Sequence, residues 1–300
     1  MDLSAELSEF LRSRRARLKP QDVGLPEFGR HRRVPGLRRE ELAQLAGVSV
    51  AYYTRLEQGN GRNVSMEVLD SIARALRLSD TERAHLTHLA KPTVKKRHRA
   101  GSARPQQVRP GLAQLLDAME GVPAFVVGRR LDVLAWNRMA RALFGDFAAW
   151  EPRERNMARM IFLDANARDL YVDWECKAVE VVSVLRLYAG LHPDDPELMA
   201  LVGELSVRSE EFRSLWAAHT VTDKGHGTKR LRHPLVGEMT LSYESLKVSG
   251  DDPDLVLVTY HAEPGSPSAD ALRLLAQWGV DDPTETETAP DTAPDADTRS

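Results

Sequence analysis

Apolar residues recur at helical spacing through the first part of the chain. The predicted first helix, residues 3–18, has an apolar face with positions three, four or seven apart: Leu3, Leu7, Phe10, Leu11 and Leu18. Pro20 ends it, and the Pro- and Gly-rich residues 20–36 are expected to form a loop. Four more helices are predicted over residues 38–46, 49–58, 65–76 and 79–90. This part of the chain is therefore expected to be an all-α domain with five helices.

Beyond residue 109 the pattern mixes helices with short alternating segments. Helices are predicted over residues 110–120, 137–144, 167–190, 194–207, 209–219 and 267–278. Strands are predicted over residues 124–127, 131–135, 228–232, 238–246 and 255–261. In the fourth of these strands, one side carries Met239, Leu241, Tyr243 and Ser245. Two strands, a helical insert and three more strands predict an α+β fold with one mostly antiparallel sheet.

These segments predict a multidomain chain. Residues 1–92 form the helical domain, residues 93–109 a basic hinge and residues 110–278 the α+β domain. Residues 279–300 contain mainly Asp, Pro, Thr, Glu and Ala without an apolar run, so they are expected to be a disordered acidic tail.

Charge is distributed unevenly between the two parts. Residues 1–100 carry 20 Lys and Arg against 12 Asp and Glu, whereas residues 101–300 carry 21 against 32. A basic first third joined to an acidic remainder is typical of a module that binds a polyanion such as nucleic acid.

Composition excludes several classes of protein. No apolar run approaches the roughly 18 residues that span a bilayer, and the acidic start Met1-Asp2 does not resemble a signal peptide, so a cytoplasmic protein without membrane contact is expected. Cys176 is the single cysteine, which rules out an internal disulfide and a cysteine-built zinc site. Neither a metal nor a cofactor is expected.

Residues 38–59 carry the most informative pattern, two short helices joined by a tight turn. Leu42 and Leu45 are predicted to face the core, and Gly47 supplies the permissive backbone that the turn needs. Ser49 is a good N-cap for the second helix. Tyr53 and Leu56 are predicted to face inward, which leaves the outer face to Val50, Ala51, Tyr52 and Arg55.

The second of these helices has the residues needed to read a DNA major groove. Arg55 suits a bidentate contact with guanine, worth roughly 1–3 kcal/mol of discrimination, and Val50 and Ala51 suit a thymine methyl. The alternative for Arg55 is a solvated helix arginine. Ser49 and Tyr52 lie at the edge of the predicted contact, and phosphate contacts are assigned to the flanking Arg39, Asn60 and Arg62.

Residues 38–59 resemble the helix-turn-helix of the Cro/repressor-like XRE family. The resemblance implies a five-helix, lambda-repressor-like domain that binds double-stranded operator DNA, and a homodimer on two half-sites is expected. It also implies that Glu57 pairs with an arginine of the first helix, for which Arg15 is the candidate. Two interpretations stay open for the basic loop residues Arg30, Arg32 and Arg33, which either contact phosphate or are simply solvated.

The downstream part resembles the MmyB-like ligand-binding domain. The resemblance rests on Trp136-Asn137, the run from Arg155-Asn156 to Trp174-Glu175, residues 209–219 and His233-Pro234. It implies a transcription regulator with a PAS-like domain for a small, apolar, fatty-acid-like ligand. Aromatic residues that could line its pocket, or simply fill the core, are Phe125, Trp136, Phe144, Phe162, Trp174, Tyr188, Phe212, Trp216 and Tyr243.

Catalytic motifs are missing from the sequence. It has no H-x-x-x-H or H-E-x-x-H spacing, no G-x-S-x-G and no P-loop, so an enzyme is not expected. A second alternative is a helix-turn-helix that acts chiefly as a protein-interaction or adaptor module. The salt dependence of DNA binding distinguishes this alternative from a regulator that tracks phosphates.

Overall fold

The structure is a computed structural model that describes residues 2–25, 36–61, 64–91, 106–221, 225–249, 252 and 254–278. The predicted tail, residues 93–105 of the predicted hinge and the basic residues of the loop lie outside this described part. The chain divides into two compact units. The first combines residues 1–103 with 178–223, and the second combines residues 104–177 with 224–300. The predicted boundaries follow chain order and stay predictions, whereas the compact units interleave.

Helices dominate the first unit, and the second combines helices with a sheet. In chain order the helices are α1 Leu3–Arg17, α2 Arg39–Ala46, α3 Val50–Glu57, α4 Met66–Ala75, α5 Asp80–Ala90, α6 Pro110–Ala118, α7 Arg138–Phe144, α8 Met157–Leu163, α9 Ala165–Leu170, α10 Trp174–Leu191, α11 Pro196–Arg208, α12 Glu210–Ala217 and α13 Pro267–Trp278. The strands are β1 Ala124–Val127, β2 Val133–Trp136, β3 His226–His233, β4 Gly237–Lys247 and β5 Val256–His261. Among the described residues, no helix is both long and apolar enough to cross a bilayer.

Side-chain caps determine where the first helices begin. Asp2, Ser49, Ser65 and Ser79 each accept a hydrogen bond from a backbone N–H in the first turn of the following helix. At Ser79 the cap is reciprocal, because Glu82 accepts the N–H of Ser79 in return. These caps satisfy backbone donors that have no partner within the helix, so the predicted and observed starts agree closely.

One apolar core holds the first unit together. Its buried members come from α1 to α5, from the connections between these helices and from the chain after α12, and the larger ones are Leu7, Phe10, Leu11, Leu37, Leu42, Tyr53, Leu56, Leu69, Ile72, Leu86 and Val221. Leu187 of α10 packs against the same cluster. The all-α fold predicted for this part is confirmed, with additional helices from later in the chain.

The second unit contains a five-stranded sheet in the order β2-β1-β5-β4-β3, with every neighbouring pair antiparallel. Alternation along β4 follows the prediction, since Met239, Leu241 and Tyr243 are buried. Helix α13 packs against β4 and α7. The predicted α+β fold with an antiparallel sheet is confirmed.

The single long helix predicted over residues 167–190 is wrong. Helix α9 ends at Leu170, and α10 starts at Trp174. Between them Tyr171 forms a β-bridge with Leu231, and Asp173 pairs with Arg230 at 2.7 Å. These contacts with β3 pull the chain out of helical geometry, and they involve residues too distant in sequence for periodicity to indicate.

Two other predicted elements are shorter because of left-handed backbone. Arg130 and Leu131 have φ values of 59° and 67°, so they form a turn, and β2 starts only at Val133. His219 has a φ of 49°, and α12 ends before it at Ala217. An L-residue at positive φ is uncommon, so composition alone did not mark these positions.

His85 is a buried histidine in the core of the first unit. It is 1% exposed, and its ring packs edge-on against Phe10 at 5.1 Å. Within the part of the chain that the structure describes, neither ring nitrogen has a hydrogen-bond partner. Burial lowers the pKa of His85 to about 3, and the nearby positive charges of Arg186 and Arg14, with His88 and His219, act in the same direction. The ring is therefore neutral at physiological pH.

Protonation of His85 is expected to make the first unit less stable in acid. An unfolded histidine has a pKa of about 6.5, so below that pH the unfolded chain binds a proton that the folded unit excludes. The folded pKa of about 3 gives a loss of roughly 2 kcal/mol at pH 5 relative to pH 7. His85→Phe should remove this part of the pH dependence, measured as the opening free energy from amide hydrogen exchange in α1 and α5.

His226→Gln is the control, because His226 is exposed on β3. It should keep the wild-type pH dependence in α1 and α5. If His85→Phe loses as much stability between pH 7 and pH 5 as the wild type does, His85 is not the source.

Candidate nucleic-acid interface and aromatic cluster

The turn between α2 and α3 is built by its backbone. Gly47 ends α2 with a φ of 67°, where a side chain would be strained, and its N–H bonds to the carbonyl of Gln44 at 3.2 Å. The N–H of Val48 reaches the carbonyl of Ala43 at 3.0 Å. Ser49 then caps α3 by accepting the N–H of Tyr52 at 3.1 Å. The predicted turn and cap are confirmed.

Helix α3 has a buried side and an exposed side. Tyr53 and Leu56 are at most 1% exposed, as predicted. On the other side Val50, Ala51 and Arg55 are exposed. The structure therefore brings the three predicted base-reading side chains together on one solvent-facing side of α3.

Tyr52 lies between these two sides. Its ring is partly buried against the core of the first unit, and the Arg55 guanidinium lies 6.0 Å from the ring centre. Ser49 is exposed, although its hydroxyl already accepts the capping hydrogen bond. Both residues lie at the edge of the exposed side, so Tyr52 is less exposed than predicted, and their contact with DNA stays a prediction.

The core position predicted for Leu45 is wrong. Its side chain is 37% exposed, whereas Leu42 and Ala46 of the same helix are buried. Leu42 and Ala46 are four residues apart and share one face, and Leu45 projects about 100° away from Ala46 because one residue turns an α-helix by that angle. Leu45 therefore lies at the margin of the packed face.

Glu57 is a buried carboxylate at the end of α3 that receives two arginines. Its side chain is 0% exposed. Arg15 of α1 donates two hydrogen bonds to it, each 2.8 Å long, and Arg39 of α2 donates a third at 2.9 Å. Burial by itself raises the pKa of Glu57, but these hydrogen bonds outweigh it and hold the pKa below its usual value. Arg15 is therefore the partner that the resemblance implied.

The residues assigned to phosphate contacts have different positions. Arg39 is 43% exposed at the start of α2, although its Nε is held by Glu57. Asn60 is exposed just after α3. Arg62 lies outside the described residues. The contact between Arg39 and Glu57 was not expected, because nothing in the local pattern distinguishes it from a solvated arginine.

Four of the predicted pocket aromatics meet in one cluster in the second unit. Phe125 lies at its centre, with ring centres 5.7 Å from Phe144 and 6.3 Å from Tyr260. Trp136 and Tyr243 join through Phe147 and Tyr260, respectively. The sequence reasoning missed Phe147 and Tyr260. The pairing of β5 with both β1 and β4 places Tyr260 in this cluster, and a prediction of that pairing would have found it.

The other predicted pocket aromatics are elsewhere. Phe162 and Trp174 pair with each other at 5.8 Å. Tyr188, Phe212 and Trp216 belong to the first unit, where Tyr188 stacks on His192 and Phe212 stacks on Trp216. The nine residues therefore do not line one common site.

A separate open cleft of about 240 Å³ lies in the second unit and contains none of the predicted aromatics. His261 and Arg273 line it together with small and aliphatic side chains. Within the described residues, no group of three or more His, Cys, Asp or Glu is arranged to hold a metal ion.

The polar residues behind the MmyB-like resemblance have structural contacts. Asn137 accepts the N–H groups of Ala124 and Ala140 and donates to three carbonyls, so it ties the start of β1 to α7. Asn156 caps α8 and donates to Asp132 at 2.8 Å. His233 accepts the N–H of Leu235 through Nδ1, so its Nε2 is the donor to the carbonyl of Ala142. These residues position elements of the second unit.

Two family models match the chain. The model described as MmyB-like transcription regulator ligand binding domain matches residues 108–275, and a helix-turn-helix domain model matches residues 6–86. No curated protein matches the chain. The helix-turn-helix match spans α1 to α5, whereas the other match includes residues 178–221, which pack in the first unit.

Removing the charge of Glu57 should weaken the first unit strongly. Glu57→Gln leaves Arg15, which is 11% exposed, without its charge partner. Loss of one member of a buried ion pair costs roughly 3–5 kcal/mol, so we expect about 3 kcal/mol in the opening free energy of α1 and α3 from hydrogen exchange.

The matched control is Glu9→Gln, which removes an exposed pair with Arg12 on α1. Its expected cost is below about 1 kcal/mol. Equal losses in the two variants would mean that Glu57 has no special role in holding α3.

Proposed function

The chain belongs to the family of MmyB-like transcription regulators, and we propose that α3 reads operator DNA while the second unit holds a small apolar ligand. A helix-turn-helix domain and a ligand-binding domain of this family on one chain make a ligand-responsive, DNA-binding transcription regulator. The observation that carries the proposal is the exposed side of α3, presented on a helix that Glu57 fixes to α1 and α2.

The exposed side of α3 has the chemistry for direct readout. Arg55 donates a bidentate pair of hydrogen bonds to guanine, and Val50 and Ala51 contact thymine methyl groups. Ser49 and Tyr52 contact the edges of the site. The surrounding Arg39, Asn60 and Arg62 contact phosphates and set the register.

Arg39 gains a defined direction from the buried carboxylate. Its Nε donates to Glu57 while its side chain stays 43% exposed. Holding one nitrogen in place reduces the side-chain entropy that the arginine loses on binding, which favours a phosphate contact. Two chains bind as a homodimer, with their recognition helices on half-sites about one helical turn apart.

The aromatic cluster is the proposed contact surface for the ligand. Phe125, Trp136, Phe144 and Tyr243 supply apolar area, which suits a fatty-acid-like chain. The role is binding, without a catalytic step.

Arg55→Ala tests the DNA-reading side. On an operator selected with the wild-type protein, we expect an affinity loss of about tenfold or more, and less than about twofold on unrelated duplex DNA. The logarithm of the wild-type association constant should also fall linearly with the logarithm of the salt concentration. The slope should be about −0.9 per phosphate contacted.

Arg208→Ala is the control, because Arg208 is an exposed arginine on α11 with a pair partner in its own helix. It should leave both affinities unchanged. Equal losses of Arg55→Ala on both DNAs would contradict a base-reading role, and wild-type binding without salt dependence would favour the adaptor alternative.

Phe144→Ala tests the aromatic cluster, with dodecanoate as the probe in a calorimetric titration of the full chain. Removing the phenyl contact should weaken binding about tenfold or more. Phe162→Ala is the matched control, since Phe162 pairs with Trp174 away from the cluster. An equal loss in both variants, or no binding of dodecanoate to the wild type, would contradict the cluster as the ligand site.

A further inference from the structure

Residues 178–221 belong to one domain by sequence and to another by packing. The ligand-binding family model includes them, yet they form one compact unit with α1 to α5. Helix α10 starts at Trp174 in the second unit and continues into this segment. The segment is thus part of the ligand-binding family model and packs in the unit that contains the helix-turn-helix.

Apolar contacts place the segment in the core of the helix-turn-helix unit. Val221 is 1% exposed and is a member of that core, and Leu187 packs against it. Gly190 lies so close to His85 of α5 that a Cβ there would come within 2.9 Å of the ring. The close approach of α10 to α5 therefore requires glycine at this position.

Arg186, near the start of the segment, forms a buried ion pair with Glu6 of α1. The guanidinium is 0% exposed, and its Nη1 lies 2.7 Å from Glu6 and 3.0 Å from Nδ1 of His219. Its Nη2 donates to the carbonyl of Trp216, whose ring lies 4.2 Å from the guanidinium. Burial raises the pKa of Glu6 and lowers that of Arg186, so desolvation opposes the charge of both partners. The charge of each group is therefore stabilised by the charge of the other.

A second buried arginine continues the contact along α1. Arg14 is 3% exposed, donates to the carbonyl of His219 at 2.7 Å and lies 2.8 Å from the carboxylate of Glu82 on α5. Arg17 donates to the hydroxyl of Thr220 at 3.1 Å. The chain after α12 is thus held by two arginines at the C-terminal end of α1.

The same helix α1 holds the recognition helix. Arg15 donates to Glu57 at the end of α3, and the hydroxyl of Ser4 donates to the carbonyl of Gly59 at 2.8 Å. Since α1 contacts residues 178–221 on one side and α3 on another, a shift of α1 changes both sets of contacts.

We propose that residues 178–221 are a regulatory clamp, which holds α1, and through it the recognition helix α3, in the DNA-reading position. Releasing the Arg186–Glu6 contact loosens α3. The clamp rests on the proposed function only for its effect on DNA binding, because the packing that it requires is independent of DNA.

The test is amide hydrogen exchange of the full chain without DNA. Arg186→Met leaves the Glu6 carboxylate buried without a charge partner, and we expect exchange in residues 50–57 and 3–17 to become at least about tenfold faster. The matched control is Arg208→Met, which removes the exposed pair between Glu204 and Arg208 of the same segment. It should leave exchange in both helices unchanged.

The double variant Glu6→Leu/Arg186→Met decides the matter even if the single variant unfolds the unit. It replaces both charges by apolar side chains, and exchange in residues 50–57 should return to within about threefold of the wild type. Two results would overturn the clamp: unchanged exchange in residues 50–57 of Arg186→Met, or a double variant no better protected than the single one.

Operator affinity of the same variants is measured separately. The clamp predicts a weaker affinity for Arg186→Met than for Arg208→Met, and equal affinities would overturn its effect on DNA binding. A wild-type protein that binds no DNA would contradict the proposed function, while the exchange data would still decide for or against the clamp.

Discussion

The first unit depends on carboxylates that are buried among arginines. Glu57 is removed from water at the end of the recognition helix, and its charge is met by Arg15 and Arg39. Because an uncompensated buried charge is far more costly than a lost surface contact, α1, α2 and α3 must keep the geometry that brings both arginines to it. Glu57 thereby fixes the orientation of the exposed side of α3, although Glu57 itself is buried and does not face the DNA.

Helix α1 is the common element of two such buried pairs. Arg15 serves Glu57, and nine residues earlier Glu6 receives Arg186 from α10. One helix therefore satisfies a charge from the recognition helix and another from the segment that the ligand-binding family includes. Part of the positive charge of residues 1–100 is used inside the protein, since Arg14 and Arg15 are both at most 11% exposed.

Local signals explain what the sequence could predict. The caps Ser49 and Ser79, the turn glycine Gly47 and the alternation along β4 each act within a few residues, so the helix-turn-helix and the antiparallel strands could be derived from pattern. The break at Tyr171, the interleaving of residues 178–223 and the meeting of Phe125 with Tyr260 depend on partners far away in the chain. Side-chain periodicity gives the face of an element that is apolar, but it does not give the element that covers this face. For that reason the sequence did not indicate that the nine predicted pocket aromatics lie in two different units.

The choice of an ion pair for the contact between α10 and α1 has a physical consequence. A well-packed apolar contact at the Arg186–Glu6 position would hold the two helices at least as firmly, because the desolvation of two charges offsets much of their attraction. The buried pair adds little net stability, yet it strongly penalises any arrangement in which one partner is left alone. The packing of α10 on α1 is therefore well defined while Arg186 and Glu6 are paired, and it is lost when they separate. These are the properties that a segment needs if it is to hold the recognition helix in one position.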